Sequence, residues 1–428
     1  MIDRRHLLVS GLALPVAWLH AAKAQTPIDS TPLLQREIDT ASKLGRVVSI
    51  PSGISFVSRL RISGDARLVG AGRSSRLVAL GGGPMLSIER TGSVAVENVT
   101  FDGGARAPGG EGGLIEAIDV AELRIIDCSV ERALGHGIKL QRCGGRVERS
   151  GFSDISESGL FSMNGAALSV IDNSFERCGN NGIQVWRGAK GDDGATLRGN
   201  HISRIRADRG ADGPFGNGIS IFRAGGVVCD GNVIRGCAFS GIRDNGGSNA
   251  VIHGNNCADL GETAIYVEFD FEGAVIEGNL VDGAAVGISI TNFDRGGRLA
   301  ACSGNVLRNL DRPLPQGGGL SGIGIHAEAD TVLSGNAIDH ALGPGLSIGF
   351  GSGLRNVLAT GNLVSDCEYG AAVSLAQGAG GATITQNSFA RSRRGAIVGM
   401  AYDKVTVADL IADAARYPQL TIAGNVVS

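Results

Sequence analysis

An excess of basic charge is missing from this chain: Lys and Arg total 39 against 42 Asp and Glu, a formal net charge of -3. Nucleic acid is not an expected partner, because phosphate binding needs a basic footprint. Beyond the N-terminus no apolar run approaches the roughly twenty residues of a membrane span, so no transmembrane segment is expected in the mature chain. No Cys/His spacing matches a zinc site, so no metal is expected, and no dinucleotide fingerprint is present, so any cofactor is unknown. A sustained helical period is absent too, which excludes arrays of paired helices. Aromatic residues make up only 4% of the sequence, so any gathering of them carries information.

Glycine is plentiful, 68 of 428 residues, and much of it falls in one recurring phrase. Val228-Cys229-Asp230-Gly231-Asn232-Val233-Ile234 is a clear copy. From Asn173 the Asn of this phrase returns at spacings of 27, 32, 23, 24, 26, 31, 26, 25 and 38, ending at Asn425. A period in the twenties with elastic insertions marks a solenoid, which overrides the two or three domains that length alone suggests. An apolar residue sits three before each Asn (Leu197, Ile252, Ile276) and two after it (Ile202, Val281, Leu307). Where no insertion intervenes, Gly-Ile-x-Ile or a relative follows, as in Gly182-Ile183-Gln184-Val185, Gly287-Ile288-Ser289-Ile290 and Gly345-Leu346-Ser347-Ile348. Short alternating runs punctuated by Gly are strands with one buried face. The expected fold is all-β, a single-stranded parallel β-helix. Gly-Asn suits a left-handed corner, and each inward amide is expected to bond the Asn of the next coil. In the earlier coils Cys128 and Gly151 stand where the ladder Asn is expected.

Residues 1–24 read as an export signal: Arg4-Arg5, an apolar stretch from Leu7 to Ala22, and a small-x-small site before Gln25. The paired arginines resemble a twin-arginine signal, although Asp3 and Leu7 depart from its usual residues. That predicts the twin-arginine machinery as a partner and a periplasmic or secreted location. Residues 25–46 form an N-terminal segment with a helix from Thr31 to Lys43, where Thr31 can cap, Pro32 suits the first turn, and Leu34, Ile38 and Ala41 make a stripe. The helix is expected to cover the open end of the solenoid, which fills 47–428. A second short helix is expected over Thr406–Arg416. The helix, Ile50-Pro51-Ser52-Gly53 and Leu68-Val69-Gly70-Ala71-Gly72 resemble the start of pectate-lyase-like right-handed parallel β-helix proteins. With its signal, the chain resembles the twin-arginine-translocated β-helix repeat proteins over residues 31–428. That resemblance implies the right-handed fold and no particular chemistry. Gly135-His136-Gly137 resembles one polygalacturonase motif, but the paired aspartates and Arg-x-Lys of those enzymes are absent, as is the Asp-Pro-His-Asp of alginate epimerases. The eight cysteines fall at inward repeat positions, and those of the same phase lie two or more coils apart, beyond the reach of a disulfide.

Outward residues of the Gly-Ile-x-Ile strands form two columns. The first is read as Lys139, Phe161, Gln184, Ser220, Arg243, Tyr266, Ser289, Gly324. The second is read as Gln141, Met163, Trp186, Phe222, Asn245, Glu268, Thr291, His326. Trp186, Phe222 and Tyr266 gather on this face and are suited to stacking on sugar rings. Glu268 and Asp270, two apart on a strand, are expected to face the same way at a separation of roughly 6 to 7 Å, near that of inverting glycosidases. Arg243 and His326 are placed to orient a substrate, and Asp244 occupies a position that is aliphatic in neighbouring coils, so it must be paired, bulged or shifted in pKa. The expected function is binding of a polysaccharide or cell-envelope glycan, with cleavage by a lyase or hydrolase mechanism if the protein is an enzyme. A non-catalytic envelope scaffold and a carrier of an unidentified cofactor are the alternatives.

Overall fold

The computed structural model describes residues 27–428 except 82, 107–111, 211–212 and 316–320. The expected signal, 1–24, lies outside the described residues. The chain winds as a parallel β-helix of three strand files. Each Gly-Ile-x-Ile strand pairs in parallel with its counterpart one coil on, as Asn217–Gly225, Ile242–Asn245 and Thr263–Glu268 do. The strands that precede the ladder Asn form a second file, represented by Val228–Asp230 and Ser248–His253. Strands that follow it form a separate sheet, of 15 strands among the described residues.

Alternation builds the interior. Ile219, Ile242, Ile265, Ile288 and Ile325 are register partners along one inward column, and each is fully buried. Each such side chain contributes about 1.5–3 kcal/mol by burial. The ladder closes as expected. From Asn173 to Asn425, each amide Nδ2 donates to Oδ1 of the next Asn, for example Asn279 to Asn305 at 2.9 Å and Asn305 to Asn336 at 2.9 Å. The backbone N–H beside it bonds the same oxygen, and Nδ2 also reaches a carbonyl one coil back, as Asn305 does to Ile276 O at 3.1 Å. The preceding glycine takes the left-handed turn, as at Gly304 with φ 64. In the earlier coils Ser150, not Gly151, fills the rung: its Oγ accepts from Cys128 N, and its own N–H donates to Asn173 Oδ1. All eight cysteines are free and buried.

The helix runs Thr31–Leu44 and buries Leu34, Ile38 and Ala41 against the first coil, ending at Gly45 with φ 62. Thr31 is not its cap. Ser30 holds that position without a side-chain bond, and Thr31 Oγ1 instead accepts from Ser58 N. The helix expected over Thr406–Arg416 is also corrected. Lys404–Val407 is a strand, antiparallel to Gly395–Ala401, and only Ala414–Arg416 makes a 3-10 turn. Local apolar spacing there is overridden by pairing with the last coils of the first file.

Candidate functional site

The outward columns of the Gly-Ile-x-Ile file carry the chemistry. Inward Ile265 and Val267 are fully buried, which fixes Tyr266 outward, and the same alternation presents Arg243, Ser289 and Ser347. One register differs from expectation. His326 pairs with Ser289, and Ile325 with Ile288, so His326 belongs to the first column beside Tyr266. Two Gly-Ile phrases overlap at Gly322-Ile323-Gly324-Ile325, and the second is the structural repeat. The first column therefore runs Arg243, Tyr266, Ser289, His326, Ser347.

Tyr266, Arg243 and Glu268 meet. Arg243 bonds Glu268 at 2.7 Å and Glu262 at 3.3 Å, and its guanidinium lies 4.9 Å from the centre of the Tyr266 ring. Asn245 Nδ2 donates to the same Glu268 oxygen at 3.0 Å. Burial pushes the Glu268 carboxyl up, against the opposing pull of Arg243. Trp186 and Phe222 are neighbours, their centroids 5.6 Å apart, and Phe161 extends the file at 5.5 Å from Trp186. His136, of the Gly-His-Gly phrase, packs on Phe161 at 5.0 Å, and burial drives its imidazole down to about 3.

Two carboxylates leave the expected set. The strand ends at Glu268, and Phe269 takes φ 62, which rotates Asp270 off the sheet face. Asp270 is exposed and pairs with Lys190 at 3.4 Å, so it does not share a face with Glu268. Asp244 points inward, 1% exposed, between Ile221 and Val267 in register. Its Oδ1 accepts from Gly247 N at 3.0 Å, its Oδ2 has no bonding partner among the described residues, and burial raises it to about 7. A carboxylate sealed in the core cannot touch a substrate on the outer face.

Beyond Tyr266 the face is roofed. Phe350 and Tyr402 meet edge to face at 5.7 Å, and the turn carrying Phe350 is clamped by Ser374 Oγ to Gly351 O at 2.6 Å. Three adjoining cavities of about 430, 480 and 240 Å³ run beneath Phe350. The first holds Tyr266, Ser289 and His326, the second His326 and Glu328, and the third Ser347, Tyr369 and Met400. Sequence phase alone could have found Ser347, which is outward in its Gly-Leu-Ser-Ile phrase. Phe350 and Tyr402 lie in irregular connections where phase is undefined.

The family model described as periplasmic copper-binding protein (NosD) matches residues 199–404, and that of the right handed beta helix region matches 75–191. No curated protein sequence matches this chain significantly. Among solved structures, the tailspike protein gp49 from Pseudomonas phage LKA1 is similar at 14% identity and TM-score 0.51, covering 81% of this chain and 76% of that one. The N-terminal fragment of bacteriophage phi29 gene product 12 has 16% identity, TM-score 0.49, and coverages of 87% and 69%. For the Dettilon tailspike protein (gp208) the values are 14%, 0.49, 87% and 65%.

The residues present do not fit copper. Its preferred donors are thiolate, thioether and imidazole. In the matched span the thiols are buried in the core and raised by desolvation, Cys257 and Cys302 to about 12. Of the four imidazoles in that span, His253 bonds Asp230 and His326 bonds Ser347. Among the described residues no three His, Cys, Asp or Glu side chains gather where they would hold a metal ion.

Proposed function

Since this chain is a pectate-lyase-like right-handed parallel β-helix protein, we propose that it is an exported protein that binds an extended glycan along the outward face of its Gly-Ile-x-Ile strands. One observation carries the reading: a roofed groove whose walls alternate rings with hydrogen-bonding groups, Tyr266, Phe350 and Tyr402 beside Ser289, His326 and Glu328. Sugar rings present apolar faces and hydroxyl rims, and such walls complement both. Upstream, Trp186 and Phe222 extend the aromatic surface on the same face. Both are half-buried. The word periplasmic in the matching family description supports an envelope role. Glu268 is itself buried and serves to hold Arg243 beside the Tyr266 ring.

A panel of neutral and acidic polysaccharides tests the reading by retention on immobilised protein. Tyr266→Ala is expected to weaken the best hit by up to about tenfold, and Trp186→Ala by a smaller factor, since stacking on one ring amounts to about 0.5–1.5 kcal/mol. Folded protein that retains no glycan in the panel would refute the binding reading and favour an envelope scaffold. For export, the paired arginines are proposed to direct the twin-arginine route. Replacing Arg4-Arg5 by Lys-Lys should abolish periplasmic accumulation, and undiminished export would assign the ordinary secretory route.

A further inference from the structure

A hydroxyl, an imidazole and a carboxylate stand in line on the groove floor. Ser347 Oγ lies 2.9 Å from His326 Nδ1, and His326 Nε2 lies 3.5 Å from Glu328 Oε1. The coil geometry sets this arrangement. Ser347 and His326 are register partners on adjacent strands, so strand spacing fixes their approach. Glu328 follows immediately after the strand Ile323–Ala327. Its other oxygen, Oε2, accepts from Phe293 N at 2.7 Å, which leaves Oε1 for the imidazole.

The line has a direction. Burial alone would raise the Glu328 carboxyl, but its bonds to His326 and Phe293 hold it below the ordinary value, so it is ionised and only accepts. The Nε2 proton therefore faces Glu328, and Nδ1 presents a lone pair to the Ser347 hydroxyl. An imidazole held in that tautomer takes the hydroxyl proton as the oxygen attacks. Nor are the three sealed in the core. Ser347 lines one cavity and His326 and Glu328 the adjoining one, with Phe350 common to both.

We propose that Ser347, His326 and Glu328 are the nucleophile, the base and the orienting residue of a serine-type acyl-transfer site that hydrolyses ester groups on a bound glycan. The ester as substrate class follows from the three residues; the glycan that carries it rests on the binding reading above. In the first step Ser347 Oγ bonds to the ester carbonyl carbon and its proton moves to His326 Nδ1. The bond from that carbon to the sugar oxygen then breaks, and the sugar oxygen takes the proton from Nδ1. Water attacks the acyl-serine, passes a proton to Nδ1, and the carbon–Oγ bond breaks as Oγ recovers that proton. One ester and one water yield one hydroxyl and one carboxylic acid, with no change of oxidation state.

The mature protein is incubated with a fluorophosphonate and the adduct mapped by mass spectrometry. One adduct on Ser347 is expected, absent in Ser347→Ala and formed at least about 100-fold more slowly in His326→Ala. Glu328→Gln should slow it as well, and circular dichroism should show all three variants folded. An unlabelled Ser347 in folded wild type would overturn the proposal, as would a labelling rate unchanged in folded His326→Ala. Acetate release from O-acetylated xylan and retention of that xylan on Ser347→Ala separate the two readings. Labelled Ser347 with hydrolysis of a small acetate ester but no glycan retention leaves acyl transfer standing and removes the glycan. Glycan retention with an unlabelled Ser347 does the reverse.

Discussion

Asp244 is where a single residue departs most from its surroundings. Neighbouring coils place Ile221 and Val267 in the same inward column. Burial raises the carboxyl from 3.8 to about 7 in the fold. Below pH 3.8 it is protonated in folded and unfolded chains alike and ionisation costs nothing. Between 3.8 and about 7 the unfolded chain releases the proton while the fold retains it. Stability from this residue therefore falls as pH rises through that window, by at most about 1.4 kcal/mol per pH unit, and levels off above it. Asp244→Asn keeps an acceptor for the Gly247 N–H and removes the charge. Urea midpoints measured at about pH 5 and about pH 8 should differ less in the variant than in wild type. An identical pH dependence in both would mean that Asp244 does not carry it.

At the scale of the element, the ladder and the corner ion pairs look alike as lists of bonds and differ in energy. Asn305 is fully buried, donates to Asn336 and Ile276, and accepts from Asn279. Asn305→Ala leaves those groups without water or partner, at a cost of about 1–3 kcal/mol. The corner pair Arg177–Asp154 is bidentate at 2.7 and 2.8 Å, yet both side chains are more than a third exposed. Solvent screens it, and Asp154→Asn should cost less than about 1 kcal/mol. Chemical denaturation of the two variants beside wild type gives both numbers, and a neutral Asn305→Ala would contradict the ladder's structural role.

Across the whole molecule each coil touches mainly its neighbours, so one continuous aliphatic core does the work that disulfides or metals do in small secreted domains. The helix Thr31–Leu44 closes one end of that core. The cysteines belong to it as small apolar residues, and their thiols are pushed up by burial, Cys178 to about 12 and Cys367 to about 11. Native protein should react with none of a thiol reagent and denatured protein, without reductant, with all eight. Fewer than eight thiols after denaturation would reveal a covalent link.

Periodicity determined the parallel β-helix, the inward Asn column, the buried cysteines and the outward placing of Arg243, Tyr266 and Trp186. Each depends on a local rule, alternation along a strand or glycine at a corner, that repeats once per coil. Tertiary structure alone decided what happens where the repeat stops. Phe269 at positive φ turns Asp270 away from Glu268, and the overlapping Gly-Ile phrases shift His326 into the first column. It also decided the roof, because Phe350 and Tyr402 meet across irregular connections far apart in sequence. The same holds for the line from Ser347 through His326 to Glu328. Its Ser347–His326 contact depends on how neighbouring coils stack, a distance between strands that no pattern along one strand encodes, and its His326–Glu328 contact depends on how the chain turns after the strand ends.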